Sequence, residues 1–403
     1  MKYVILIGDG MGDRPVDSLG GLTPLQKART PNLDRLAREG MIARCATVPE
    51  GMAPGSDVAI MSLLGYSAKG VLTGRGPLEA AALGVALKEG DLAFRMNLVT
   101  LGRGAGGTVM LDHSSGDIQA ADAGPLVAAL AGRLPLAGGK TVHQGVGYRH
   151  ILVWPGAPEG LASVPPHDHR DRAVDGFLDD PAYLPLADLV RASWPVLEDH
   201  PVNLARRAKG LNPANSIWLW GQGRTPSVRS YAERWGITGA SVSAVDLIRG
   251  LAVATGLEPL TVPGATGWID TNYEGKVAAA LKALETRDLA VVHLEAPDEC
   301  GHQGDLDAKL LAIESFDGRI VGPVLDALPS YGEDFRVLCS CDHYTPVAIK
   351  THTSDPVPFI LYDSASPARS GAAGYSEEEA LKAGILVPDG PSLGRLLFGP
   401  ERV

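Results

Sequence analysis

Short runs of apolar residues, each ending in polar or glycine residues, constrain the fold of this chain more than any other feature. The runs are Val4–Ile7, Ser216–Trp220, Leu289–Leu294, Phe335–Leu338 and Val357–Tyr362. Near-continuous apolar runs of this length are typical of parallel strands that are covered on both faces. Segments with a helical pattern lie between them, at Thr30–Gly40, Glu274–Thr286 and Lys309–Leu328. This alternation predicts an α/β fold with a doubly wound, mostly parallel sheet.

The middle of the chain has a different composition. Residues 91–204 are rich in proline, glycine, histidine and charged residues, and strand patterns there are less evident. We interpret residues 91–204 as a second, smaller α/β domain that is inserted into the first. Residues 1–90 and 205–403 would then form the larger domain.

Charge and hydropathy exclude several classes of partner. The 403 residues carry a net charge of −11, whereas nucleic-acid binding needs a basic face. No apolar stretch approaches the ~20 residues of a membrane span, and the N-terminus lacks a signal-peptide pattern. The four cysteines show no zinc-finger spacing and are expected to be buried core residues in a reducing compartment. We therefore expect a cytoplasmic protein whose partner is a small molecule.

The first apolar run leads into "YVILIGDGMGD", residues 3–13, which allows two interpretations. A dinucleotide-binding loop would need the spacing G-x-G-x-x-G. Gly8 and Gly10 fit the first two positions, but the third position is Asp13, so this interpretation is excluded. Asp9 remains, just past the carboxyl end of a predicted strand, where open α/β sheets place their ligand sites. It is either a turn residue or a metal ligand.

Aspartate and histidine recur near other predicted strand ends. Asp298 and His302 are four residues apart in "HLEAPDECGHQGD", so on a helix they would share one face. Asp342 and His343 follow another strand in "CSCDHYTP", and His352 comes nine residues later. Each alone has a structural explanation, but together with Asp9 the set indicates a metal centre. Mixed carboxylate and imidazole ligands suit Mn²⁺ or Zn²⁺.

A candidate nucleophile is Ser56, in "VPEGMAPGSDVAIMSLLGY". Pro54 and Gly55 predict a turn, and an amphipathic helical pattern begins at Asp57. Ser56 would lie at the helix N-terminus, where free N–H groups stabilise an anion. It is either a simple N-cap or, beside metal ions that lower the pKa of its hydroxyl, a nucleophile.

These residues carry a resemblance to a known family. The stretches "GDGMGDRP", "PGSD", "SLLGY", "TGRGPLEA", "APDECGHQGD" and "HTSDPVPF" resemble the cofactor-independent phosphoglycerate mutases of the archaeal type, members of the alkaline phosphatase superfamily. The resemblance implies an alkaline phosphatase-like fold and a phosphoserine intermediate on Ser56 during interconversion of 3- and 2-phosphoglycerate. It implies two divalent ions, usually Mn²⁺, with Mg²⁺, Zn²⁺ and Co²⁺ as alternatives. One ion would be held by Asp298, His302 and His352, the other by Asp9, Ser56, Asp342 and His343, and the inserted domain would cover the substrate.

A phosphorylated carboxylate substrate also favours arginine contacts. The candidates for substrate binding are Arg75, Arg95, Arg149, His150, Arg170, Arg172 and Arg206.

The chain departs from the family pattern at one place in the middle region. Archaeal-type mutases tend to carry an arginine-rich "DRRAGRI"-like stretch, but residues 111–118 here are "LDHSSGDI", without an arginine. This leaves the phosphoryl chemistry intact and keeps two alternatives open, a homoserine kinase-like phosphotransferase and a phosphohydrolase. The oligomeric state is not predicted by the sequence.

Overall fold

The structure is a computed structural model that describes residues 1–104 and 106–402. The chain forms two compact units, one of Met1–Leu72 with Ser227–Val403 and the other of Thr73–Pro226. The sequence placed these boundaries at residues 91 and 204. Within the described residues, no helix combines the length and the apolar character that crossing a bilayer requires.

The strands, in chain order, are β1 (Lys2–Gly8), β2 (Met41–Cys45), β3 (Asp91–Gly104), β4 (Gly107–Asp112), β5 (Thr141–His143), β6 (Arg149–Pro155), β7 (Arg172–Ala173), β8 (Ser216–Gly223), β9 (Gly239–Val242), β10 (Glu258–Leu260), β11 (Leu289–Leu294), β12 (Phe335–Ser340), β13 (Val357–Asp363) and β14 (Leu386–Val387). All five apolar runs of the sequence lie within strands, as predicted.

The helices are α1 (Pro24–Lys27), α2 (Pro31–Glu39), α3 (Ser56–Leu63), α4 (Gly76–Ala82), α5 (Ala120–Arg133), α6 (Asp175–Leu178), α7 (Leu184–Leu197), α8 (Pro201–Ala208), α9 (Tyr231–Arg234), α10 (Asp246–Ala254), α11 (Tyr273–Leu284), α12 (Ala296–Gln303), α13 (Leu306–Phe316), α14 (Gly322–Ala327), α15 (Glu377–Lys382) and α16 (Gly390–Phe398). A π-helical turn, Asp317–Val321, joins α13 to α14, so the predicted helix at Lys309–Leu328 is two helices in near-continuous succession. Short 3₁₀ turns lie at Asp17–Leu19, Ala137–Gly139, Pro166–His169 and Leu328–Tyr331.

The first unit is built on an eight-stranded sheet in the order β10-β9-β11-β1-β12-β13-β2-β14. The five strands from β10 to β12 are parallel to one another, with Gly8 of β1 opposite Leu294 of β11 and Ile7 opposite Ser340 of β12. Residues Val4–Ile7 are almost entirely buried. The segments that follow β1, β11 and β12 therefore leave the sheet side by side at one edge.

The direction of β13 corrects one expectation from the sequence. Its apolar run suggested another parallel strand, but β13 is antiparallel to both β12 and β2. The connection from Ser340 to Val357 contains no helix. A parallel neighbour would need a crossover connection, usually a helix, so the chain returns in the opposite direction.

The second unit contains an antiparallel sheet centred on the long strand β3. One side of β3 pairs with β8, and the other pairs with β6 and β4 in succession. The run at Ser216–Trp220, interpreted as part of the parallel sheet, is therefore antiparallel and belongs to this unit. Because α4 packs on β3 and β8, this unit begins before residue 91 and continues beyond residue 204.

Candidate metal centre and nucleophile

Two buried aspartates define the centre of the site, at the ends of adjacent parallel strands. Asp9 follows β1 directly, and Asp342 lies two residues after the end of β12. Both side chains are fully buried. Oδ1 of Asp9 and Oδ2 of Asp342 have no hydrogen-bond partner among the described residues. Buried carboxylate oxygens without donors are costly unless a cation binds them, so these two atoms fit a metal site.

Gly10 allows this close approach of the strand-end loops. Its backbone has a φ of +60°, and its N–H donates to Oδ1 of Asp342 at 3.0 Å. A Cβ at this position would lie 2.7 Å from the Cα of Asp298. Only glycine satisfies both the left-handed backbone conformation and the lack of space.

A second group of ligands lies on and near α12. Its eight residues place Asp298 and His302 on one helix face, as their spacing predicted. Oδ2 of Asp298 is 3.3 Å from Nε2 of His302, and Oδ1 is 3.3 Å from Nε2 of His352. The two Nε2 atoms are 2.8 Å apart. Each oxygen of the Asp298 carboxylate thus contacts one imidazole nitrogen, a mixture of ligand types that Mn²⁺ or Zn²⁺ can use.

His343 lies between the two groups. Its Nε2 is 3.2 Å from Oδ2 of Asp342 and 3.6 Å from Oδ1 of Asp9. Its ring stacks on His352, with the ring centroids 3.9 Å apart. Ligand atoms within 4.8 Å of one another are found both in Asp9, Asp342 and His343 and in Asp298, His343 and His352. The two groups are therefore adjacent.

Ser56 is the first residue of α3 and is half-buried. The N-cap is Gly55, so the alternative that Ser56 merely caps the helix is wrong. Gly55 precedes the helix in an extended conformation, so Ser56 lies in the first turn and not at the capping position. The Ser56 Oγ lies 3.3 Å from Nε2 of His343. A hydroxyl at a helix N-terminus and beside the ligand groups is placed for nucleophilic attack on an anionic group.

Burial, neighbouring charges and hydrogen bonds together shift the pKa values of these groups. Burial, with the neighbouring Asp342, raises the pKa of Asp9 well above its usual value. Burial also opposes ionisation of Asp298, but hydrogen bonds with His302 and His352 outweigh it and hold its pKa well below the usual range. The same bond to Asp298 raises the pKa of His302 to about 9. The raised pKa of Asp9 reflects burial and repulsion from Asp342, and a cation bound there would relieve that repulsion.

The sequence reasoning missed two side chains at this edge, His293 and Glu295. His293 is the penultimate residue of β11, and its Nε2 lies 2.8 Å from Oδ2 of Asp9. Glu295 precedes α12, and with Asp9 and His293 it forms a third group with potential ligand atoms within 4.8 Å of one another. Both residues lie in "HLEAPDECGH", where β11 ends. Their position at the end of a strand could have indicated that they belong to the site.

Among the predicted substrate-binding residues, Arg75, Arg95 and Arg149 lie near one another in the second unit. Arg95 is largely buried, with Nε 3.1 Å from Glu79 Oε1 and its guanidinium 4.2 Å from the Trp220 ring centroid. Burial lowers the pKa of Arg95, and the charges of Arg75 and Arg149 lower it further. Three arginines close enough to influence one another are a candidate anion site.

The other predicted substrate-binding residues lie elsewhere in the second unit. Arg206 is buried and donates to Asp122, Ser115 and Asn212. His150 is buried as well, and its Nδ1 accepts a hydrogen bond from the Gly145 N–H at 3.1 Å. Arg170 and Arg172 are exposed. These contacts give Arg206 and His150 a role in holding the unit together.

Two histidines were not selected from the sequence: His167 lies near Arg95, and His113 lies beside His167. The ring of His167 lies 5.4 Å from that of Trp220 and 6.1 Å from that of His113. Burial lowers the pKa of both histidines. His167 belongs to "HDHRDR", residues 167–172, and His113 to "LDHSSGDI", the stretch in which the chain departs from the family pattern.

Comparison with known proteins identifies the same family that the motifs resemble. A family model for 2,3-bisphosphoglycerate-independent phosphoglycerate mutase matches residues 37–203. The probable enzyme of that name from Geobacter sulfurreducens is 49% identical over 402 residues, which cover 99% of this chain and 100% of that protein. The Methanothrix thermoacetophila enzyme of that name is 47% identical over 400 residues, with 99% and 100% covered.

Solved structures agree at the level of the fold. A cofactor-independent phosphoglycerate mutase from Thermoplasma acidophilum superposes with a TM-score of 0.66 at 26% identity, covering 98% of this chain and 99% of that chain. A Pyrococcus horikoshii protein gives a TM-score of 0.82 at 28% identity, with 98% and 96% covered.

The α/β sheet, with Asp, His and Ser side chains gathered at its edge, fits the class of metal-dependent α/β enzymes that the motifs indicated. Full-length identity near one half then specifies the family: the chain belongs to the 2,3-bisphosphoglycerate-independent phosphoglycerate mutases. The resemblance stated from the motifs is thereby confirmed.

Proposed function

We propose that this chain interconverts 3-phosphoglycerate and 2-phosphoglycerate through a phosphoserine on Ser56, without 2,3-bisphosphoglycerate. The observation that carries the proposal is the position of the Ser56 hydroxyl, at the N-terminus of α3 and 3.3 Å from Nε2 of His343. The names of the full-length relatives support the choice of substrate.

The two ligand groups would hold two divalent ions, with Mn²⁺ as the expected metal. Asp298, His302 and His352 would bind one ion, and Asp9, Ser56, Asp342 and His343 the other. We place His343 in the second set because its Nε2 lies 3.2 Å from Oδ2 of Asp342 and 3.6 Å from Oδ1 of Asp9, both members of that set. When bound, such ions lower the pKa of a nearby hydroxyl and neutralise charge on a phosphoryl group.

The protein's own groups then account for the first transfer. Ser56 Oγ attacks the phosphorus of 3-phosphoglycerate, the P–O bond to glycerate breaks, and the leaving oxygen of glycerate takes up the proton that the serine hydroxyl gives up. The free N–H groups of the first turn of α3 stabilise the phosphoryl oxygens during this step. The Ser56 Oγ lies 3.3 Å from Nε2 of His343, so both atoms face the same ligand group.

The second transfer reverses the first with a different hydroxyl. The 2-hydroxyl of the retained glycerate attacks phospho-Ser56, the P–O bond to Ser56 breaks, and the serine oxygen takes up the proton that the attacking hydroxyl gives up. Glycerate must therefore remain bound by groups other than the phosphoryl group. We assign this task to the second unit, because Arg75, Arg95 and Arg149 lie near one another there and arginine suits a carboxylate. Covering the substrate is the role we propose for this unit.

An enolase-coupled assay tests the proposal. Protein loaded with Mn²⁺ and supplied with 3-phosphoglycerate alone should feed enolase continuously, and added 2,3-bisphosphoglycerate should not increase the rate. The same sample should release no phosphate to water and should not consume ATP with homoserine. Steady release of phosphate would select a phosphohydrolase, and phosphorylation of homoserine would select a kinase.

A further inference from the structure

Thr345 lies where the loops that carry the two ligand sets meet, although it belongs to neither set. Its side chain is fully buried, two residues after His343 in the loop that follows β12. Its backbone N–H donates to the backbone oxygen of Gly12, in the loop after β1, at 3.1 Å. Its own backbone oxygen accepts a hydrogen bond from Nζ of Lys309 at 2.9 Å. The backbone of Thr345 is therefore held on both sides.

The hydroxyl of Thr345 contacts one member of each ligand set. Its Oγ1 lies 2.5 Å from Oδ1 of Asp298, which is assigned to the first ion. The same oxygen lies 3.2 Å from Nδ1 of His343, which is assigned to the second ion. A Cβ on Gly10 would lie 2.6 Å from this oxygen, so the loop after β1 also encloses the hydroxyl. One hydroxyl thus joins the two sets.

The chemistry of these three groups fixes the direction of the hydrogen bonds. A hydroxyl carries one proton and can also accept, whereas an ionised carboxylate only accepts. Thr345 therefore donates its proton to the ionised Asp298, and its oxygen accepts from Nδ1–H of His343.

This hydrogen-bond direction determines which nitrogen of His343 is free to bind an ion. With the proton on Nδ1, the lone pair of the ring is on Nε2. Nε2 faces Oδ2 of Asp342 at 3.2 Å, so the lone pair points into the second ligand set. Metal-binding histidines usually have such a partner at the other ring nitrogen, where it fixes both the tautomer and the ring orientation.

We propose that Thr345 is a positioning residue that orients Asp298 and His343 together, so that one hydroxyl serves both ion sites. The proposal rests on the two-ion centre of the proposed function and adds a residue outside both ligand sets. Without the hydroxyl, the His343 ring loses the partner that fixes its tautomer, and Asp298 loses a hydrogen-bond donor. Both ions are then held more weakly, because ligands that are not held in place bind a metal less tightly.

Titration of the metal-free protein with Mn²⁺ tests the proposal, with free Mn²⁺ followed by electron paramagnetic resonance. Thr345→Val keeps the shape of the side chain but lacks the hydroxyl, and we expect the affinity for both ions to fall by about tenfold to a hundredfold. Thr345→Ser restores the hydroxyl and should retain most of the wild-type affinity.

The matched control is Thr255→Val, which removes a buried hydroxyl that donates to backbone oxygens of α10. It should bind both ions as the wild type does. Unchanged affinity in Thr345→Val would overturn the proposal. So would a loss confined to one of the two ions, or an equal loss in Thr345→Ser.

A second measurement covers the case in which Thr345→Val does not fold. A crystal structure of the Mn²⁺-loaded wild-type chain should show the Thr345 hydroxyl within hydrogen-bond distance of both Asp298 Oδ1 and His343 Nδ1. An ion bound through Nδ1 of His343, or a hydroxyl turned away from either partner, would contradict the positioning role.

Failure of this proposal and failure of the proposed function can be distinguished. If Thr345→Val weakens both ions in a protein that does not isomerise phosphoglycerate, the positioning role stands and the proposed function is rejected. An active mutase whose Thr345→Val variant binds both ions normally would give the reverse result.

Discussion

The hydroxyl oxygen of Ser56 lies 3.3 Å from Nε2 of His343, where the first turn of α3 meets the loop that follows β12. His343 in turn contacts Asp342 and Asp9, so it links the serine to the buried carboxylates. This contact couples a nucleophile to a candidate metal centre, and the first prediction addresses it.

Replacing Ser56 with alanine should abolish phosphoryl transfer and leave the fold intact. The nucleophile is lost, whereas Asp9, Asp342 and His343 remain to bind the second ion. We expect kcat to fall by at least about a thousandfold, because loss of a nucleophile removes the covalent route. The rate is measured by the enolase-coupled assay, and bound metal by mass spectrometry. Ser67→Ala, an exposed serine beyond the same helix, is the control and should retain full activity. Substantial turnover by Ser56→Ala would rule out a phosphoserine.

Replacing His302 or His352 with alanine should weaken binding of one ion. Both Nε2 atoms lie 3.3 Å from carboxylate oxygens of Asp298, so each variant removes one of three converging ligands. We expect the affinity of that ion to fall by roughly tenfold to a hundredfold or more. Titration with Mn²⁺ measures the change, with His169→Ala in the second unit as a control. Unchanged affinity in both variants would mean that this ligand group is assigned wrongly.

The pH dependence of stability should report on His150. Burial lowers the pKa of this histidine from 6.5 to about 4. Between these values the unfolded chain binds a proton that the folded chain does not, so stability is present above pH 6.5 and is lost as the pH falls toward 4. The loss is on the order of 3 kcal/mol, at about 1.4 kcal/mol per pKa unit.

The matched variant for this pH effect is His150→Asn, which retains an acceptor for the Gly145 N–H. Denaturant unfolding at several pH values should show a shallower fall in the free energy of unfolding for the variant than for the wild type. Parallel curves for the two proteins would show that His150 titrates normally in the folded state.

The buried ion pair of Lys309 and Asp13 should contribute strongly to stability. Lys309 Nζ lies 2.8 Å from Oδ2 of Asp13 and also donates to the backbone oxygens of Gly12 and Thr345. Lys309→Met leaves a buried aspartate without its cation, which typically costs about 3–5 kcal/mol. Lys382→Met removes a lysine from an exposed ion pair and should cost about 1 kcal/mol or less. Denaturant unfolding compares the two, and equal effects would contradict the role given to Lys309.

The sequence predicted the parts of the site that depend on local spacing. Asp298 and His302 share a face because α12 has the helical period, and Asp9 and Asp342 are close because β1 and β12 are adjacent parallel strands. Both relationships follow from regular geometry. The family and the α/β fold could also be identified from the motifs.

Other parts depend on tertiary contacts that local patterns do not contain. His352 reaches Asp298 from a loop without regular structure, and the antiparallel direction of β13 follows from the missing crossover helix. The grouping of Arg75, Arg95 and Arg149 depends on strand pairing within the second unit. The contact of His293 with Asp9 could not be predicted either, because a strand pattern does not show which side chain meets Asp9.

The central claim is that the phosphoryl group passes from 3-phosphoglycerate through Ser56 to the neighbouring hydroxyl of the same glycerate. The most direct measurement is the ³¹P spectrum of samples taken during incubation of metal-loaded protein with 3-phosphoglycerate, after quenching and chelation of the metal. We predict that the resonance of 2-phosphoglycerate grows to equilibrium while inorganic phosphate stays absent. A spectrum that shows only unchanged substrate, or only growing inorganic phosphate, would contradict the account.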